Sequence, residues 1–272
     1  MTLENRNPFF DIKVEKLVTS SGIEVGKNAL VNSETLDVVG LVSENYNVVE
    51  NEVVADLFDH AIVEYGHKGI SDHMDASTKR WKRRIILGDD LKFEVAPGDN
   101  INIMIEVFNG YDAKTAYGYN VLGFRWVCTN GVVMGKKKLF SESFSHFDGN
   151  VEKLRQSFKL KFDMFQKNNE TWQEWNTVGF NRKSFDDFVD SHTKPTEGKV
   201  KSHQYLSTGI GKGIKDSYQP LIARQKLREN KWGAFNVLTY ISTHETKARK
   251  GSNLFSARHN TIDRLAGDFY DY

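Results

Sequence analysis

The chain has 272 residues, with 37 Lys and Arg against 36 Asp and Glu, a formal net charge of +1 and a single cysteine. That length allows one large domain or two small ones, and the apolar and aromatic content is ordinary for a folded soluble protein. One cysteine excludes an internal disulfide and fits a reducing cytoplasm; no apolar run is long enough for a bilayer span or placed as a signal peptide.

Residues 1–27 are polar with scattered apolar positions and read as an N-terminal arm or a first irregular strand, ahead of a single α+β domain over 28–272. Ala29–Val31 and Leu36–Val42 read as strands joined by the turn Asn32-Ser33-Glu34-Thr35, with a third short strand at Tyr46–Val49. Val53, Leu57, Ala61 and Tyr65 recur at helical spacing, which predicts one helix over 52–65 ended by Gly66 and Gly69. Ile70–Thr78 reads as a loop, Arg80–Leu87 as a strand, Gly88–Asp90 as a turn and Leu91–Val95 as a strand. Ala96–Asn100 is a turn, and Ile101, Ile103, Ile105 and Val107 alternate as the half-buried face of the next strand.

Gly118–Lys138 is mostly apolar or aromatic, and Asn130-Gly131 sits between apolar runs. Asn-Gly in that setting is a strong hairpin signal, so the stretch reads as a buried helix or strand ending at Cys128, a turn at Asn130-Gly131 and a strand from Val132. Its Cys128 reads as buried and structural. Further on, Val151, Leu154, Phe158, Phe162 and Phe165 share one helical face, with Trp172 and Trp175 starting a linking region. Ser184 reads as the N-cap of a helix over 185–189, and 191–203 as an exposed loop. Helices are predicted over 217–229, 233–244 and 254–265. The fold class is α+β: an antiparallel sheet from the N-terminal half packed by helices from the C-terminal half.

Charge is unevenly spread. Residues 1–60 are acidic and the region from Arg182 onward is basic, a pattern that fits a polyanion partner, head-to-tail self-association or plain solvated surface. Lys79-Arg80-Trp81-Lys82-Arg83-Arg84 is the densest cationic cluster. On a strand Arg80, Lys82 and Arg84 share one face and Lys79, Trp81 and Arg83 the other, offering cations for phosphates and an indole for a base, or else a basic strand protected against edge pairing. Arg125 and Lys136, Lys137 and Lys138 join these as candidate nucleic-acid contacts.

Other constellations carry less chemistry. His60, His67 and His73 with Asp72 and Asp75 match no zinc spacing, so no metal is expected. Gly209-Ile210-Gly211-Lys212-Gly213 lacks the spacing and Lys-Ser/Thr ending of a phosphate loop and reads as a flexible turn. No nucleophile elbow is present, and His244-Glu245 and Asp263 are too common a set to assign acid–base work, so no catalytic residue or cofactor is assigned.

Four segments in order carry a family resemblance: Tyr46–Asn51, Asn109-Gly110-Tyr111-Asp112, Gly123-Phe124-Arg125-Trp126-Val127-Cys128-Thr129-Asn130-Gly131, and Trp232–Tyr240. Together they resemble the hallmarks of a phage- and plasmid-encoded family known as domain of unknown function 932, over roughly residues 28–246. Tyr111 stands where that family often has a histidine. The resemblance implies a mobile-element protein without implying a reaction.

The resulting expectation is a single-stranded DNA-binding, and in some form annealing, protein of phage or plasmid recombination or replication, acting as a homo-oligomer beside other recombination or replication proteins. A metal-dependent nuclease and a factor that inhibits or recruits a host enzyme are the alternatives. The acidic-aromatic C-terminus Asp268–Tyr272 has two readings: it packs back onto the last helix, or it competes with DNA for a basic surface.

Overall fold

The computed structural model describes residues 7–75, 79–125, 130–132, 141–193, 206–242, 260–270 and 272. The architecture is α+β, with antiparallel strands in the N-terminal half and helices in the C-terminal half. Strands are β1 (Ile12–Val18), β2 (Glu24–Asn32), β3 (Val38–Ser43), β4 (His67–Met74), β5 (Arg80–Leu87), β6 (Phe93–Ala96), β7 (Asp99–Gly110), β8 (Tyr117–Arg125), β9 (Asn130–Val132) and β10 (Ser141–Phe144). Helices are α1 (Asn51–Asp56), α2 (Asp59–Tyr65), α3 (Val151–Thr177), α4 (Arg182–Ser191), α5 (Thr208–Arg224), α6 (Lys231–Tyr240) and α7 (Asn260–Asp268).

The chain divides into two compact units. Unit 1 comprises Met1–Leu91, Ile103–Val121 and Phe140–Asp163; unit 2 comprises Lys92–Asn102, Leu122–Leu139 and Met164–Tyr272. In unit 1, β1, β2 and β3 form a three-stranded antiparallel sheet, so regular structure begins well before residue 28. The main sheet runs in the order β10-β8-β7-β5-β4. Its β7 is flanked on both edges and is buried on both faces from Ile101 to Val107, rather than half-buried as alternation alone predicts. The first half of α3 lies on this sheet through Phe158, which meets Tyr119 edge-on at 5.3 Å and Phe58 at 4.9 Å, while Phe162 stacks on Tyr65 at 5.3 Å.

Unit 2 is built around α6, in which every residue from Trp232 to Tyr240 is buried. Asn230 caps it, its side-chain oxygen accepting from the Gly233 amide at 2.8 Å. Gly233 is required for packing: a Cβ there would overlap the Arg228 carbonyl oxygen. Trp232 stacks on Trp172 at 5.9 Å and its indole donates to Asp99 at 3.0 Å. Fully burying one such ring contributes about 1.5–3 kcal/mol, so this aromatic cluster dominates the unit's stability.

Several local expectations are corrected. Ile70–Met74 is part of strand β4, paired with β5, where Asp72 faces the oppositely charged Arg83. Tyr46–Val49 pairs with no strand among the described residues, its backbone being used by side chains. The single helix over 52–65 is two helices broken at Leu57-Phe58, where Phe58 turns into the core. Trp172 and Trp175 lie inside the 27-residue α3, and Asn181 rather than Ser184 caps α4. Gly209–Gly213 forms the first turns of α5, where Gly211 fits against Thr193. Asn130 and Gly131 pair with Arg125 and Phe124 inside the β8–β9 ladder, so neither is a turn residue; residues 126–129 separate the two strands in sequence. Those four residues, Cys128 among them, lie outside the described residues, as does most of the expected loop over 191–203.

Candidate nucleic-acid interface

The basic strand β5 has the predicted alternation, shown by which carboxylate each side chain reaches. Lys82 and Arg84 both reach Glu106 on β7, at 3.1 and 3.0 Å. Arg83 forks onto both oxygens of Asp72 on β4, at 3.0 and 3.1 Å, and its guanidinium lies 4.8 Å from the Phe9 ring centroid. Trp81 shares that carboxylate, donating its indole N–H at 2.8 Å. Arg80 pairs with Asp112 at 2.7 Å. Burial alone would raise the Asp112 carboxyl, but Arg80 together with the Lys114 and Thr115 donors holds it below the ordinary carboxylate value. Lys79 takes a left-handed conformation, φ 55°, in the turn that enters the strand.

These pairings change what β5 can do. Trp81 is wholly buried, edge-on to Phe9 at 5.6 Å, so it offers no stacking face to a base. Arg84 is the most exposed of the four paired cations, at 54 % of its side chain, and it too has a carboxylate partner. A cation already neutralised at hydrogen-bonding distance releases little counterion energy on meeting a phosphate. Arg125 lies opposite Asn130 on β8. The side chain of Arg125, and Lys136, Lys137 and Lys138 altogether, lie outside the described residues.

The segments of the family resemblance come together in two pairs. In unit 1, Asn109 donates to the Val49 carbonyl at 2.7 Å and to the Asn51 side-chain oxygen at 3.0 Å. The Tyr111 hydroxyl accepts from the Asn51 amide at 3.0 Å, and Tyr46 donates to the Gly110 carbonyl at 3.1 Å. Asn51 and Asn109 are both buried, so this is a clamp that fastens the approach to α1 onto the end of β7. Tyr111, in the family's histidine position, is one of its members, and burial pushes its hydroxyl pKa up. In unit 2, α6 packs against β9, joining the third and fourth segments.

Next to the clamp, His146 stacks on Tyr46 at 4.5 Å and meets Tyr117 edge-on at 5.2 Å. Its Nδ1 lies 3.2 Å from the Asn47 carbonyl, which can only accept, so Nδ1 carries the proton. Burial lowers the pKa of this imidazole.

The three histidines and two aspartates weighed as a metal set sit apart: His60 is on α2 beside Glu64, and His67, Asp72 and His73 are spread along β4. No group of three His, Cys, Asp or Glu side chains among the described residues comes together to hold a metal. His244 and Glu245 lie outside the described residues, as does the side chain of Asp263. No helix among them is long and apolar enough to cross a membrane.

Charge divides by unit more sharply than by sequence half. Unit 1 holds 15 Lys and Arg against 22 Asp and Glu, net −7; unit 2 holds 22 against 14, net +8. Within unit 2, Arg224, Lys226 and Arg228 are exposed at the end of α5 and in the segment after it, with no carboxylate in salt-bridge range among the described residues. Arg224 lies 5.5 Å from the Tyr240 ring centroid. Sequence reading passed over these three because they alternate with apolar and polar residues instead of forming a run. The spacing of two that placed them together was the available signal.

No curated protein and no solved structure matches the chain. The sequence profile of one family, described as a domain of unknown function (DUF932), matches residues 38–264. With that span covered and all four hallmark segments inside it, the chain belongs to the DUF932 family.

Proposed function

We propose that the protein binds single-stranded DNA through unit 2 and acts in phage or plasmid recombination or replication, in the host cytoplasm. The observation that carries this reading is the charge division. Unit 2 has a net charge of +8, and the cations of β5 in unit 1 are already paired with carboxylates. An excess of that size on one unit attracts a polyanion over a Debye length of about 10 Å at 0.1 M salt. Arg125, Lys136, Lys137 and Lys138 belong to this unit and are the assigned phosphate contacts.

Single strands are preferred over duplex on chemical grounds. A flexible strand can follow dispersed cations that a rigid duplex cannot reach together. The resemblance to mobile-element proteins supports the recombination or replication setting. The test is binding of labelled single- and double-stranded DNA of equal length across a salt series. The reading expects tighter single-strand binding that weakens steeply with salt. Equal affinity for both forms, or no binding at low salt, overturns it.

A further inference from the structure

One face of the three-stranded sheet in unit 1 carries exposed apolar side chains around a buried centre. Directly opposed residues share a face. Glu15, Ala29 and Leu41 therefore lie on one side, as do Lys13, Val31 and Val38, with Val25 and the exposed Lys27 on the same side of β2; Ala29 and Val31 at the centre are buried. The opposite side carries Leu30 and Val42, which pack in the core with Tyr111. On the first side Val38 and Leu41 are each 57 % exposed and Val25 is 47 % exposed. β1 and β3 are edge strands with no further strand paired to them among the described residues. Open edges beside an exposed apolar face make a surface built to be covered.

What surrounds this face identifies its occupant. Asp11 precedes β1, Glu34 sits in the turn between β2 and β3, and Glu44 follows β3. All three are exposed; Glu44 is within electrostatic reach of Lys16, and Asp11 and Glu34 have no ion-pair partner among the described residues. The matching set of opposite sign is on the same chain type: exposed Arg224, Lys226 and Arg228 in unit 2.

We propose that this sheet face docks on the Arg224–Arg228 patch of a second copy, giving head-to-tail assembly. The apolar centre supplies association energy, and the carboxylate rim against three cations fixes orientation and disfavours a face-to-face pairing of two acidic units. Because the two surfaces differ, each copy keeps one of each free, and the contact repeats. This holds independently of DNA binding, which is assigned to other cations of unit 2.

The test uses the nuclease-treated full chain in sedimentation velocity at low and high salt. One variant carries Val38→Arg and Leu41→Arg, at positions exposed enough to cost little folding stability. The other carries Arg224→Glu, Lys226→Glu and Arg228→Glu. Wild-type protein is expected to form a series of masses that grows with concentration and shrinks at high salt. Each variant alone is expected at the mass of one chain, with an unchanged melting curve. An equimolar mixture is expected to give a two-chain particle and nothing larger, because one intact interface remains between unlike copies. Wild type that stays a single chain, variants that assemble like wild type, or a mixture that stays monomeric overturns the proposal. A two-fold contact through the sheet face alone would leave the cationic-patch variant assembling, and so is among the outcomes that overturn it.

Discussion

The indole of Trp81 donates to the carboxylate of Asp72 at 2.8 Å, from a position with no solvent exposure. That bond holds the ring in the core, while Arg84 on the same strand keeps 54 % of its side chain exposed. Replacing Trp81 with Phe keeps most of the packing and removes the donor, and is expected to cost about 1–2 kcal/mol. Trp81→Ala is expected to cost about 3–5 kcal/mol through the cavity it leaves. Urea unfolding measures both, and equal small losses would show the ring to be exposed.

His146 predicts how stability depends on mild acid. Its folded pKa lies below 6.5 because burial disfavours the imidazolium. The unfolded chain therefore binds the proton first as pH falls, so the stabilisation is present above about pH 6.5 and is lost between there and the folded pKa. The slope in that window is at most about 1.4 kcal/mol per pH unit. His146→Gln should flatten this part of the stability–pH curve; an unaltered curve means another group titrates there.

The C-terminal aromatics hold unit 2 together. Phe269 is wholly buried among Trp175, Phe180, Phe188 and Phe235, and the Tyr270 hydroxyl accepts from Trp172 at 2.9 Å. Of the two readings open in the sequence, packing onto the fold is the one these contacts favour. Phe269→Ala is expected to cost about 3–5 kcal/mol. Deleting residues 269–272 is expected to lower the melting temperature clearly, and a truncated protein that melts unchanged would free the tail for a competing role.

Gly233 supplies a sharper packing test. Its missing side chain leaves room for the Arg228 carbonyl, so Gly233→Ala must move backbone, unlike most helical Gly→Ala changes, which gain roughly 1 kcal/mol. A loss of at least about 1–3 kcal/mol is expected, as for other overpacked sites. A stabilised Gly233→Ala protein would show that α6 is set further from that carbonyl.

Much of this was legible in the residues. The α+β class, the strands at β5 and β7 and the first four turns of α3 follow from period and spacing, and the family segments from resemblance. What was missed has a common cause: a partner distant in sequence. Ile70–Met74 looked like a loop because its Asp and His residues are polar, yet Asp72 is there to meet Arg83 across the ladder. Arg80, Lys82, Arg83 and Arg84 looked like free charge because Asp72, Glu106 and Asp112 are up to thirty-two residues away. Asn130-Gly131 looked like a two-residue turn because local preference was read without the register that places both residues in β9.

The claim that unit 2, and not β5, meets the nucleic acid is tested most directly by the salt dependence of single-stranded DNA binding in two triple variants. One carries Lys136→Ala, Lys137→Ala and Lys138→Ala. The other carries Arg80→Gln, Lys82→Gln and Arg84→Gln, with Arg84→Gln alone as the form least able to disturb folding. Each lost phosphate contact on a single strand lowers the slope of log K against log salt by about 0.7. The account predicts a slope lower by about 2 for the lysine variant if all three lysines contact phosphate, and a wild-type slope for both β5 variants. A reduced slope in folded Arg84→Gln protein, with the lysine variant unchanged, would contradict it.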